Sequence, residues 1–155
     1  MVEDKDVFKY KNTLVVNYSQ DVVFNVVSDV DKYPNFLPLC LSTKLINETS
    51  EYKDYEMSVG LNRMMKATFS TRNYYDYPNS IDITMLKGAF SHFKNQWKFI
   101  KINEDTTEVT FDIEFKFITT FLPGKIIMPY LDKISSSIVS NFISQVIAEQ
   151  SKKIK

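Results

Sequence analysis

The sequence predicts an α+β fold: a seven-stranded curved antiparallel sheet wrapped around one long C-terminal helix, with two short helices after the first strand. Three observations carry this. Between Leu41 and Phe117, apolar and polar residues alternate over strand-length runs separated by turn residues, as in an antiparallel sheet with one wetted face. From Ile126 to Ile147 the period changes, and Ile127, Leu131, Ile134, Ile138, Phe142 and Val146 recur at steps of three and four along one helix face. Third, the widths do not match. Seven strands at about 4.8 Å span roughly 30 Å, whereas a helix with its side chains is about 10–12 Å across, so the sheet must curl to be covered.

The elements follow in order. Phe8, Tyr10, Leu14, Val16 and Tyr18 share one parity, with a polar interruption at Asn12. Ser19 is a candidate N-cap and Asp21 suits the first turn of a helix whose Val22, Val23, Val26, Val27 and Val30 follow helical spacing. Pro34 and Pro38 permit at most one short helical turn between them, made apolar by Tyr33, Phe36, Leu37 and Leu39. Strands then run over Leu41 to Thr49, through Tyr55, Met57, Val59 and Leu61, and through Met65, Ala67, Phe69 and Thr71. Three more carry Ile81, Ile83 and Met85; Phe93, Asn95, Trp97 and Phe99; and Val109, Phe111, Ile113, Phe115 and Phe117. In the last helix Tyr130, Val139, Ile143 and Ile147 widen the apolar stripe, and Pro129 either starts the regular helix or kinks an earlier turn near Pro123-Gly124.

Composition bounds the function. A chain of 155 residues fits one domain, expected to span residues 1–155. Lys and Arg number 19, as do Asp and Glu, so the balance argues against a DNA partner or an interface dominated by phosphate contacts. The acidic N-terminus is not a secretory signal, and no apolar run approaches the roughly 20 residues needed to span a bilayer. A cytoplasmic protein is the expectation. One cysteine, Cys40, excludes an intrachain disulfide, and one histidine, His92, excludes a multi-histidine metal site. The three glycines, Gly60, Gly88 and Gly124, are too scattered for a phosphate loop.

What a curled sheet encloses is open: Met57, Met65, Phe69, Met85, Trp97 and Phe99 suit a packed core or an adaptable apolar cavity. Asn95, on the parity of Trp97, either bonds a ligand or satisfies a neighbouring backbone group. Tyr33, Phe36 and Leu37 form a pocket mouth, a membrane-touching tip or a turn packed on the sheet edge. Arg63 and Arg72 either meet an anionic headgroup or are solvated. Asp112 and Glu114 share a strand face, but the wet one, and Cys40 reads as a small buried thiol.

The segment Val30-Asp-Lys-Tyr-Pro-Asn-Phe-Leu-Pro-Leu-Cys40 resembles the signature of the coenzyme Q-binding START-domain family. Phe69-Ser-Thr-Arg72, Lys87-Gly-Ala-Phe90, Asn95-Gln-Trp-Lys-Phe99 and the Val109–Phe117 alternation resemble that family's segments in the same order, over roughly Phe8 to Ile147. The family sits in the helix-grip, START/Bet v 1-like superfamily with the polyketide cyclases. Leu39 departs from the tryptophan that quinone-side members often carry before the signature cysteine.

The resemblance implies a non-enzymatic carrier or chaperone binding a polyprenyl quinone (ubiquinone) as ligand in support of respiration, with no further cofactor and with peripheral contact to the respiratory inner membrane. The expected ligand-binding set is Tyr33, Phe36, Leu37, Met57, Val59, Met65, Phe69, Asn95, Trp97, Phe99, Ile127, Leu131 and Ile134. Nearly the same motifs occur in the bacterial ribosome-association toxin, which implies the alternative of binding the large ribosomal subunit and blocking subunit association. A cyclase-like enzyme ranks last, because it needs a positioned acid or base and the inward positions are nearly all apolar.

Overall fold

The structure, a computed structural model, describes residues 7–118 and 128–154. One antiparallel sheet holds seven strands in the order β1-β7-β6-β5-β4-β3-β2. They are β1 (Phe8–Val16), β2 (Cys40–Glu48), β3 (Tyr52–Gly60), β4 (Lys66–Asp76), β5 (Ser80–Lys87), β6 (Phe90–Asn103) and β7 (Thr106–Phe117). Strands two to seven form a meander, and β1 closes beside β7 from Phe8↔Phe115 to Val16↔Thr107. Helix α1 (Gln20–Ser28) and a 3-10 turn (Val30–Asn35) carry the chain from the β1 edge to the β2 edge. A second 3-10 turn (Met128–Tyr130) leads into the long helix α2 (Leu131–Ile154).

Alternation selects the strands, and irregularities in register bend them. Shifts occur at Cys40/Ser42 and Leu45/Asn47 in β2, at Leu86 of β5 opposite Ser70 and Thr71, and at Phe90/His92 and Lys101/Asn103 in β6. Each extra residue raises the local twist, which curls the sheet towards the helix. The Phe90/His92 shift also puts Phe90 and Phe93 on the same inner surface, where both meet Phe69, at 5.1 and 5.7 Å between ring centres. Gly88 connects β5 to β6 at φ +149°, and a Cβ there would lie 2.2 Å from that of Phe69. Only glycine permits that approach.

Two buried clusters fill the concave side. One gathers Val23, Val26, Val27 and Val30 against Phe99, Val109, Val139, Phe142 and Val146. The smaller joins Phe69, Phe90, Phe115 and Leu131. Ser19 takes the N-cap backbone of α1 (φ −66°, ψ 156°), but its hydroxyl makes no cap bond and instead supports Asp21, whose carboxyl is held below its ordinary range. Thr107 Oγ1 donates to Tyr18 O at 2.8 Å, and Gln20 Nε2 to Phe99 O at 2.6 Å, tying the β1–α1 connection to the sheet.

Several expectations are corrected. The helical turn near the prolines spans Val30–Asn35 and contains Pro34 instead of lying between Pro34 and Pro38, because Phe36 N and Leu37 N both bond back to Tyr33 O and end it there. Asn12 does not interrupt β1, since its amide donates to Tyr10 OH at 3.1 Å. Regular α2 begins at Leu131, directly after the turn that holds Pro129, and runs on to Ile154; Ile126, Ile127, Pro123 and Gly124 lie outside the described residues. Tyr130 and Ile147 point outward, at 61% and 47% exposure, while Ser135 and Val139 are buried.

A candidate ligand-binding cavity under the long helix

A cavity of about 200 Å³ opens where the two clusters meet. Of the residues expected to contact a ligand, Tyr33, Leu37, Met57, Val59, Phe69, Asn95, Trp97, Leu131 and Ile134 line it. The 3-10 turn supplies Tyr33 and Leu37, the strands Met57 to Trp97, and the first turn of α2 Leu131 and Ile134. Three others stand off the wall. Phe36 is screened by Tyr33 and Phe142, at ring-centre distances of 5.9 and 5.3 Å. Phe99, 1% exposed, is the next inward residue beyond Trp97 on β6 and is covered by Phe24 of α1. Met65 sits in the turn before β4, where its carbonyl accepts from Leu61 N at 3.0 Å. Ile127 lies outside the described residues.

None of the described side chains on the wall is charged. Its polar side chains are Tyr33, Cys40, Thr71, Asn73, Asn95, Ser135 and, through its indole N–H, Trp97. The Tyr33 hydroxyl donates to Val27 O, and burial raises its pKa well above the ordinary value. Burial likewise pushes the Cys40 thiol up to about 11, so it is inert as a nucleophile at neutral pH. Thr71 Oγ1 donates to Asn73 Oδ1 at 3.0 Å, and Asn95 Nδ2 to Asp112 O at 2.9 Å. The backbone bond proposed for Asn95 is therefore made, and one amide hydrogen remains. Thr71, Asn73 and Ser135 were absent from the expected set. Asn73 only continues the inward parity of Phe69 and Thr71, and Ser135 is one helical step from Leu131; both signals were in the sequence.

The other candidates fall outside. Arg72 donates from Nε and Nη2 to the two oxygens of Asp54, at 2.8 and 3.0 Å, on the outer face, and its guanidinium lies 3.9 Å over the Tyr52 ring. That pairing holds the Asp54 carboxyl below its ordinary range. Arg63 lies exposed in the turn between β3 and β4. His92 Nε2 meets Glu114 Oε1 at 2.9 Å on the wet face. Leu39 occupies the left-handed region (φ 66°), a strained setting for a branched side chain, and lines the cavity beside Pro38. A second groove, about 310 Å³, adjoins it along Pro38, Leu39, Leu61, Tyr130, Lys133, Ile134 and Ser137.

A curved sheet gripping one long helix, with an uncharged cavity between them, defines a helix-grip protein. The chain belongs to the polyketide cyclase / dehydrase and lipid transport family, whose model matches residues 16–143. Among relatives, it is similar to the ribosome association toxin RatA of Escherichia coli (strain K12), 30% identical over 105 residues, which cover 68% of this chain and 66% of the relative. It is also similar to the mitochondrial coenzyme Q-binding protein coq10 of Schizosaccharomyces pombe, 22% identical over 144 residues, 88% of this chain and 85% of that one. The ZhuI aromatase/cyclase structure from Streptomyces sp. R1128 superposes with a TM-score of 0.76 at 15% identity, covering 90% of this chain and 93% of that one. That likeness concerns the fold.

Proposed function

We propose that this protein is a non-enzymatic carrier of a polyprenyl quinone, supporting respiratory electron transport. The carrying observation is the uncharged cavity, apolar except for a few amides and hydroxyls. Its similarity to the coenzyme Q-binding coq10 supports the choice of cargo. Size divides the ligand. About 200 Å³ exceeds the roughly 150 Å³ that admits a benzene ring, but falls below the roughly 300–1,000 Å³ of pockets enclosing drug-sized ligands. The ring therefore enters the cavity and the tail follows the adjoining groove past Leu39 and Ile134.

No described wall residue supplies an acid or base near neutral pH, since burial raises both Tyr33 and Cys40; holding is favoured over reaction. Among the described residues no helix is long and apolar enough to cross a membrane. Mass spectrometry of small molecules released from gently purified protein tests the reading. Extractable quinone is expected; none, with no binding of added short-chain quinone, refutes it.

The similarity to RatA favours a second reading, binding to the large ribosomal subunit. Co-sedimentation with that subunit on a sucrose gradient is its expected result, and protein remaining at the top of the gradient removes it.

A further inference from the structure

We infer that Asn73 and Asn95 act as an amide pair that recognises a flat ring by oxygens on opposite carbons. This rests on the carrier reading and names the feature of the cargo that the cavity reads. The pairs Asn73↔Ile83 and Ile83↔Asn95 put the three residues in one row across β4, β5 and β6. All three line the cavity, at 3%, 9% and 7% exposure. Two strand spacings separate the amide-bearing backbones by about 10 Å. A six-membered ring lying over Ile83, with an N–H···O bond of about 2.9 Å at each end, bridges that interval.

A buried amide is costly unless its polar atoms are bonded, and each of these makes only part of its complement. Asn73 Oδ1 accepts from Thr71, which leaves its nitrogen on the side of Tyr75, where at most one of its two hydrogens is taken up. Asn95 spends one hydrogen on Asp112 O and keeps the other. Next inward on β4, the buried Tyr75 hydroxyl lies within reach of the Asn73 and Tyr55 side chains without a hydrogen bond of ordinary geometry to either. Spare donor capacity in an otherwise apolar chamber fits a ligand with two carbonyl acceptors and an apolar body, as in a para-quinone.

The experiment compares two probes with the full chain by intrinsic tryptophan fluorescence, because Trp97 is the only tryptophan and lines the cavity. One is a decyl-substituted benzoquinone; the other is the decyl-substituted benzene of matching ring size without oxygens. The unaltered protein should bind the quinone about tenfold tighter, and Asn73→Leu and Asn95→Leu should each remove most of that preference, read as the ratio of the two probes' affinities within each variant. Equal affinity of the unaltered protein for both probes, or leucine variants that keep the preference, overturns the amide pair and leaves the carrier reading standing. Failure to bind either probe overturns both. The affinity ratio of the unaltered protein decides the matter even where a leucine variant does not fold.

Discussion

Phe142 is the residue on which the grip of the helix depends. Its ring is 3% exposed and meets three others: Trp97 of β6 at 4.9 Å, Tyr33 of the 3-10 turn at 5.1 Å and Phe36 at 5.3 Å, all edge-on. One side chain thus joins α2 to the sheet and to the segment that bridges its edges. Phe142→Ala withdraws about 150 Å² of apolar surface, which at about 25 cal/mol/Å² costs about 4 kcal/mol. That agrees with the roughly 3–5 kcal/mol seen when a buried phenylalanine is truncated. Against a total stability of about 5–15 kcal/mol, such a loss leaves a folded but fragile protein. Equilibrium unfolding in urea should show a lower midpoint with an unchanged slope. A loss below about 1 kcal/mol would refute the packing of α2 on Trp97.

Three further outcomes follow from the same geometry. Asp54 is 5% exposed and its carboxyl is lowered by hydrogen bonds from Arg72, so their contribution is present above the unfolded carboxyl value of about 3.9 and disappears as pH falls through the lower folded value. Arg72→Leu should cost about 1–3 kcal/mol at pH 7, and the gap between variant and unaltered protein should close on acidification; a gap constant from pH 7 to pH 2 contradicts this. Cys40, raised to about 11 by burial, should resist iodoacetamide at pH 8 in the native protein and react once unfolded; equal rates in both states disprove its burial. Ser137 lines the outer groove but not the cavity, so Ser137→Phe should weaken a long-tailed quinone at least tenfold and spare a tailless one; equal loss for both, or none, rules out the tail path.

The sheet was legible because its pattern is local: Val109 to Phe117 alternates without a break, and β7 is buried at Val109, Phe111 and Phe115. Helix phase was less legible. Tyr130 and Ile147 extend the apolar stripe in sequence, yet face solvent, whereas the polar Ser135 is buried because it falls in the centre of the face. Apolarity alone misjudges such edges, since tertiary position decides them. The site suffered from the same limit. Parity identifies which face Phe99 shares with Trp97 and Asn95, but not that Phe24 of α1 covers it. Only assembly distinguishes a wall from a floor.

The long helix accounts for both the opening and its chemistry. Its first two turns give Leu131, Ile134 and Ser135 to the cavity, and its fourth gives Phe142, while Val139 and Val146 are locked in the main cluster. A rod about 10–12 Å wide cannot fill a sheet roughly three times broader, so space must remain beside it. At the α1 end four buried residues, Val23, Phe24, Val26 and Val27, take up that space. At the other end the described wall includes the strained turn Pro38-Leu39 and the start of α2, Leu131 and Ile134. The chamber lies there, and among the described residues its wall strands carry aromatics facing it with amides in place of carboxylates. A family that includes ring-closing relatives and lipid transporters needs only this chamber in common; what separates the two uses is whether the wall holds a group that can move a proton. Among the described wall residues the groups that titrate are Tyr33 and Cys40, and burial raises both. Under the proposed carrier reading, the enclosure that suits an apolar ring also keeps these two groups from acting as acid or base near pH 7.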